Sequence, residues 1–342
     1  MEVVSNVPVN ILRKIGVGEG RNSTVYLAED PHLGGEVVLK EVAVPAGARV
    51  EDFLAEAQHL YHAKHPNVVP VNYAAVDAGC VRIVMPYFRR GSIARFSRGR
   101  AVRLTESLAA MRDVLAALHH VHARRLVHLD VKPSNILLAD SGSSMLSDFG
   151  QSRLVNALGV AAAPKMYVPI WPPELVTATH LTPQADVYQA GIALWRLLHG
   201  ELAWRLLLCR WPSLVDAIAD GRLIGDGDFS PHVPRALRRV IRKATSKDPA
   251  RRYGTAHDMK NALANVSIDR DWRLVRFNTT HACWEYHTDA HTHRVYCKKN
   301  RRRWDVEYLM VRLADGKLRR RPKFEAVGLT RSEARSHLNA FM

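Results

Sequence analysis

The sequence predicts an α+β chain in which a strand-rich beginning gives way to helices and then to a smaller strand-and-helix unit. Three observations predict it. Short apolar runs such as Glu36-Val37-Val38-Leu39-Lys40 and Val81-Arg82-Ile83-Val84-Met85 fall in the first quarter and read as strands. A long amphipathic stretch with helical periodicity, Leu104 to Arg124, occupies the middle. From Asp271 onward apolar and polar residues alternate in short runs, the pattern of half-buried strands.

Composition bounds the possibilities. With 342 residues, 47% of them hydrophobic, the chain can bury a sizeable core and carry more than one unit. Four scattered cysteines, Cys80, Cys209, Cys283 and Cys297, are too few for a disulfide framework and read as reduced thiols of a cytoplasmic protein. No N-terminal charged-then-apolar signal is expected, and no membrane span, since no run approaches roughly 18 uncharged apolar residues. The net charge of +16 is uneven. From Val266 to the end there are 17 Lys/Arg against 9 Asp/Glu, so half of that charge sits on the last 77 residues. Such density predicts attraction to an anionic surface.

Taken in order, the first element is a glycine-rich hairpin, IGVGEGRNSTVYLAE from Ile15. Gly18, Gly20 and Ser23 fill the three positions of G-x-G-x-x-G, with Val25 after them; glycine lets backbone come close to a phosphate. A strand ending in Lys40 follows. Val50 to Lys64 is helical, with Phe53, Ala57 and Leu60 at helical spacing and Glu51 and Glu56 as its acids. The next strand ends at Met85 and runs into Pro86-Tyr87-Phe88; Pro86 has no N–H but keeps its carbonyl. The helix Leu104 to Arg124 then delivers the chain to VHLDVKPSNILL, which gathers Asp130, Lys132 and Asn135 in one short loop, thirteen residues before Asp148-Phe149-Gly150. Trp171-Pro172-Pro173-Glu174, the Asp186 segment and Lys247-Asp248-Pro249-Ala250-Arg251-Arg252 complete the series.

In this order and at these spacings the motifs resemble an eukaryotic-like (Hanks-type) serine/threonine protein kinase of the bacterial type, from about Ile11 to Val266. The resemblance implies a bilobal protein-kinase fold, a β-rich N-lobe over 1–88 and a helical C-lobe over 89–266, using ATP and Mg²⁺, with Mn²⁺ as an alternative. Gly18, Gly20, Ser23 and Val25 would cover the nucleotide and Lys40 would pair its phosphates. Glu56, with Glu51 as a competitor, would pair Lys40. Met85 would be the gatekeeper, and Pro86 and Phe88 would offer backbone to adenine. Asp130 would accept the proton of the acceptor hydroxyl, Lys132 would steady the γ-phosphate, and Asn135 and Asp148 would hold the metals. The segment opened by Asp186 would be the helix that anchors the catalytic loop, and Glu174 and Arg252 would form a buried structural ion pair. Lys132 argues for a Ser or Thr of a protein substrate over Tyr.

Two departures stand out. The usual H-R-D is His128-Leu129-Asp130, so no catalytic-loop arginine can receive a phosphate on the activation loop. That loop, Gln151 to Pro173, has only Ser152 and Tyr167 as hydroxyls and no threonine. It therefore lacks the threonine that most relatives place near the catalytic Asp and Lys. Switching by loop phosphorylation is not expected. A pseudokinase scaffold, or a signalling kinase recruited to nucleic acid, are the alternative readings, with a kinase of small molecules or nucleic acid behind them.

The tail, 267–342, predicts a small basic sheet with a C-terminal helix opened by Thr330-Arg331-Ser332-Glu333. Its basic runs, Lys298 to Arg303 and Lys317 to Lys323, suit an acidic protein or a nucleic acid. The pattern weakly resembles the small DNA-binding modules at the N-termini of phage integrases, although a protein-docking module is favoured. His281, Cys283, His287, His291, His293 and Cys297 cluster in sequence, but their spacing matches no standard zinc finger and strand alternation would divide them between two faces.

Overall fold

The computed structural model describes residues 8–15, 23–32, 34–45, 47, 50–77 and 79–342, without the side chains at 52, 56, 60 and 77. Its first part is an antiparallel sheet of β1 (Asn10–Ile15), β2 (Ser23–Asp30), β3 (Gly35–Ala43), β4 (Tyr73–Asp77) and β5 (Cys80–Pro86). The strand order is β1-β2-β3-β5-β4. α1 (Val50–His62) lies against this sheet because Phe53, Leu54 and Ala57 share one side and meet Val42, Val81, Ile83 and Met85.

The helical part is built on α3 (Leu104–Ala123), reached through the short α2 (Ile93–Phe96), and on α4 (Gln184–Cys209). Along most of its length α4 is buried all round, which explains why its sequence lacks a polar face. It turns at Gly200, whose φ of 81° only glycine adopts readily; a Cβ there would lie 2.8 Å from the Ala101 nitrogen. α5 (Leu214–Ala219), α6 (Arg235–Ala244) and α7 (Ala256–Ala264) complete the lobe. Between α3 and α4 run three small antiparallel pairs: β6 (Leu126–Val127) with β9 (Arg153–Leu154), β7 (Ile136–Leu138) with β8 (Ser144–Leu146), and β10 (Ala161–Ala162) with β11 (His180–Leu181). They set the loops that carry the polar residues.

The tail forms a second sheet: β12 (Arg273–Phe277), β13 (His281–His287), β14 (His291–Asn300), β15 (Arg303–Arg312), β16 (Leu318–Arg320) and β17 (Ala326–Leu329), closed by α8 (Arg331–Phe341). β12 to β16 are neighbours in chain order, and β17 also pairs with β15. The Thr330 hydroxyl accepts from the Glu333 N–H and the Glu333 carboxylate accepts from the Thr330 N–H, a reciprocal cap for α8. β13 escapes the alternation rule, because Cys283, Trp284, Glu285 and Tyr286 are all buried.

This unit does not have a core of its own. Trp272, Trp284, Val295, Val306, Tyr308 and Leu338 belong to the same continuous apolar cluster as α3, α4 and α6. Polar ties close the seam. The Trp284 indole N–H donates to the Ser230 hydroxyl at 2.8 Å, and Thr105 donates to Asp271 through its N–H and hydroxyl at 3.0 and 2.7 Å. The Arg335 guanidinium donates to the carbonyls of Asp226, Gly227 and Phe229.

Candidate active site

The polar loop lies between β6 and β7. Its backbone is held from below by Asp186 near the start of α4, a fully buried carboxylate. Asp186 accepts from the His128 N–H at 2.8 Å, the Leu129 N–H at 2.7 Å and His122 Nε2 at 2.7 Å. Burial pushes this carboxyl's pKa up, but the hydrogen bonds it accepts, led by the one from His122, together outweigh it and leave the carboxyl below the usual carboxylate value. The Asp130 N–H donates to His128 Nδ1 at 3.2 Å, so His128 Nε2–H is free to donate to the Ser147 carbonyl at 3.0 Å. One imidazole thereby joins the loop to the strand leading to Asp148.

Asp130 Oδ2 accepts from Lys132 Nζ at 2.7 Å and from Asn135 Nδ2 at 2.8 Å, and Asn135 Nδ2 also reaches the Asp130 carbonyl at 2.9 Å. Burial raises the Asp130 pKa; Lys132 opposes that and the nearby Asp148 adds to it. The result is a carboxylate made more basic than usual, as a proton acceptor requires. Across the gap between the lobes, Lys40 Nζ lies 2.9 Å from Asp148 Oδ1. Burial would raise the Asp148 pKa, but Lys40, then Lys132, hold it at about 2. Two carboxylates are thus set apart electrostatically, one basic and one firmly ionised.

Of the residues expected from sequence, Asp130, Lys132 and Asn135 are joined in one group of contacts, and Lys40 and Asp148 in a second. Val25 pairs directly across from Lys40 in the β2–β3 ladder, and Ser23 opens β2 opposite Val42. Met85 and Pro86 end β5 opposite Val38 and Val37, and the Phe88 carbonyl accepts from the Gly91 N–H at 2.9 Å. Gly18 and Gly20 and the side chain of Glu56 lie outside the described residues. Arg252 is wholly buried against Glu174, with bonds of 2.9 and 2.5 Å, and also donates to the carbonyls of Gln184, Ser246 and Lys247.

Sequence reasoning missed three contacts. His122 carries no motif signal, and its partner is 64 residues away. Ser152 is 1% exposed; its hydroxyl donates to the Phe149 carbonyl at 2.6 Å and lies 2.7 Å from His59 Nδ1 on α1. Gln189, one turn after Asp186, bonds to the loop on both sides of Asp130. The His/Cys segment of the tail holds no group of three or more potential metal-binding residues among the described residues. Cys283 pairs with Tyr296 and Cys297 with Ala282, which puts the two thiols on opposite faces of the sheet. No helix among the described residues is long and apolar enough to cross a membrane.

A family model for the protein kinase domain matches residues 10–264. The chain is similar to serine/threonine-protein kinase PrkC of Bacillus subtilis, 30% identical over 277 residues, covering 76% of this chain and 40% of PrkC. It is similar to the probable serine/threonine-protein kinase PknB of Lactococcus lactis, 27% identical over 281 residues, covering 78% of this chain and 43% of PknB. It also resembles the DNA damage-responsive serine/threonine-protein kinase RqkA of Deinococcus radiodurans, 31% identical over 289 residues, covering 79% of this chain and 40% of RqkA. The chain thus spans about two fifths of the length of these relatives.

Proposed function

Since this chain belongs to the protein kinase domain family, matched over residues 10–264, we propose that it transfers the γ-phosphoryl group of ATP to Ser and Thr hydroxyls of proteins. The observation that carries this reading is the joined cluster of Asp130, Lys132 and Asn135 facing the Lys40–Asp148 pair. In the proposed reaction the acceptor oxygen bonds to the γ-phosphorus as the bond to the β-phosphate oxygen breaks. Asp130 takes the acceptor's proton, for which its raised pKa suits it. Lys132, 2.7 Å from Asp130, is placed to neutralise the transferring group, and Lys40 to grip the phosphates, with Glu56 as its assigned partner. Gly18, Gly20, Ser23 and Val25 are assigned to the nucleotide's cover, and Met85, Pro86 and Phe88 to its base.

The family generally uses ATP with Mg²⁺. The donors here fit that ion: an ionised Asp148 carboxylate and the Asn135 amide oxygen are hard ligands, and Mg²⁺ takes one or two such protein groups plus phosphates. Asn135 spends its amide nitrogen on Asp130, which turns its oxygen away from that bond. Asn135 and Asp148 would hold the ion, which would supply positive charge to offset that of the phosphates.

Regulation by activation-loop phosphorylation is not part of this reading. Leu129 brings no cation, and Ser152 is buried in its bonds to Phe149 and His59, which leaves Tyr167, 54% exposed, as the accessible hydroxyl. The tail is assigned to recruitment of an acidic protein or nucleic acid, by virtue of its charge, and the protein to the cytoplasm. The test is incubation with γ-labelled ATP and Mg²⁺ beside Asp148→Ala. Label on Ser or Thr that vanishes in the variant is the expected result; equal labelling would overturn the metal-binding role of Asp148.

A further inference from the structure

Gln189 lies on α4, fully buried, one turn beyond Asp186. Its Oε1 accepts from the Val131 N–H at 2.9 Å. Its Nε2 donates to the Leu129 carbonyl at 3.1 Å and to the Ile170 carbonyl at 3.4 Å. Leu129 and Val131 flank Asp130, and Ile170 stands in the activation segment just before Trp171. A single amide therefore uses both of its hydrogens and an oxygen lone pair to join three backbone groups from two segments.

Leu129 makes this consequential. Its φ is 63°, the left-handed region that a branched, buried L-residue adopts only when its surroundings enforce it. The enforcement comes from α4 on both sides: Asp186 holds the Leu129 N–H and Gln189 holds the Leu129 carbonyl. Release of either peptide plane would let Leu129 relax to negative φ and turn Asp130 away from Lys132 and Asn135. The same side chain reaches Ile170, and no threonine between Gln151 and Pro173 is present to tie the activation segment to the catalytic loop.

We propose that Gln189 is a positioning residue that replaces the missing threonine, fastening the activation segment to the catalytic loop so that Asp130 and the acceptor-binding surface are in register without loop phosphorylation. The proposal rests on the protein kinase reading above. It accounts for how a chain without the catalytic-loop arginine and without a loop threonine keeps an ordered acceptor side. Gln189 touches no reacting atom; it acts through the Leu129–Val131 backbone and through Ile170.

The test uses the full chain, an array of Ser- and Thr-containing peptides to find a workable acceptor, and steady-state kinetics of Gln189→Ala and Gln189→Glu against ATP and that peptide. The expected result is a kcat lower by about ten- to a hundredfold and a higher KM for peptide, with the KM for ATP within about twofold of wild type. Gln189→Glu is nearly isosteric, so it decides the matter if the alanine variant fails to fold. Its ionised carboxylate faces two carbonyls, whereas its protonated form donates to one of them. Its activity relative to wild type is therefore expected to rise as pH falls from 8 toward 6. Folded variants with wild-type kcat, or an equal rise in the KM for ATP, would overturn the positioning role. Wild-type protein that labels no peptide and not itself would instead sink the kinase reading, and this inference with it.

Discussion

Replacement of Trp284 by Ala tests whether the tail and the helical lobe share one core. Trp284 is 3% exposed, belongs to the continuous apolar cluster, and donates its indole N–H to Ser230 at 2.8 Å. Truncation of a buried Trp costs about 3–5 kcal/mol, a figure that includes the cavity left behind. The lost hydrogen bond contributes about 1 kcal/mol of that. A chain of 342 residues has an unfolding entropy of about 0.7 kcal/mol per kelvin, so a midpoint shift of about 4–7 °C follows. Circular dichroism at a helix-sensitive wavelength reports mainly on the lobe of α3, α4 and α6, because the tail is mostly strand. If the core is shared, the helical signal of Trp284→Ala should melt earlier by that amount, in step with tryptophan fluorescence. A helical transition at the wild-type temperature, preceded by a separate loss of tail structure, would refute the shared core.

Three further outcomes are expected. Arg252→Ala leaves Glu174 and three carbonyls without their donor, and breaking such a buried pair should cost about 3–5 kcal/mol in denaturant titrations. Acid should weaken the seam, because burial lowers the His199 pKa from 6.5 to about 4 and lowers that of the neighbouring His232 as well. The unfolded rings take up protons that the folded ones refuse, so stability is full above about pH 6.5 and falls progressively toward pH 4. The loss is about 3 kcal/mol for His199, and a urea midpoint that is flat over that window would contradict it. Ser152→Ala removes the tie between α1 and the segment after Asp148; nucleotide affinity is expected to fall severalfold while the melting temperature moves by about 1–2 °C.

Legibility in the sequence followed contact distance. Asp130, Lys132, Asn135 and Asp148 fall within one short stretch, and their order and spacing carry the family resemblance that picks them out. The bonds that hold that loop in place were less legible. The segment opened by Asp186 could be recognised as the loop's anchor only through the family resemblance, and Gln189 not at all: both reach the loop across 57 to 60 residues, and an α4 buried all round offers no periodicity by which to single them out. The absence of a threonine could be read; its replacement could not. In the tail, β13 hides because Cys283 and Glu285 are covered on one face as thoroughly as Trp284 and Tyr286 on the other. The seam with the lobe hides for a related reason: Trp284–Ser230 and Arg335 with its carbonyls join residues 54 to 109 positions apart, with no motif to mark them. The basic charge of this unit was plain in the composition, but part of it is spent internally, on Glu285 by Arg273 and Arg294 and on Glu307 by Lys298 and Arg320.

The proposed phosphoryl transfer to Ser and Thr depends on Asp130 as held by Lys132 and Asn135. Label incorporation from γ-labelled ATP with Mg²⁺, followed by phosphopeptide mapping, tests this dependence for wild type and Asp130→Asn at matched nucleotide occupancy. The account predicts phosphoserine or phosphothreonine in the wild type and a loss of about a hundredfold or more in the variant, with nucleotide still bound. Label that persists undiminished in Asp130→Asn would contradict it.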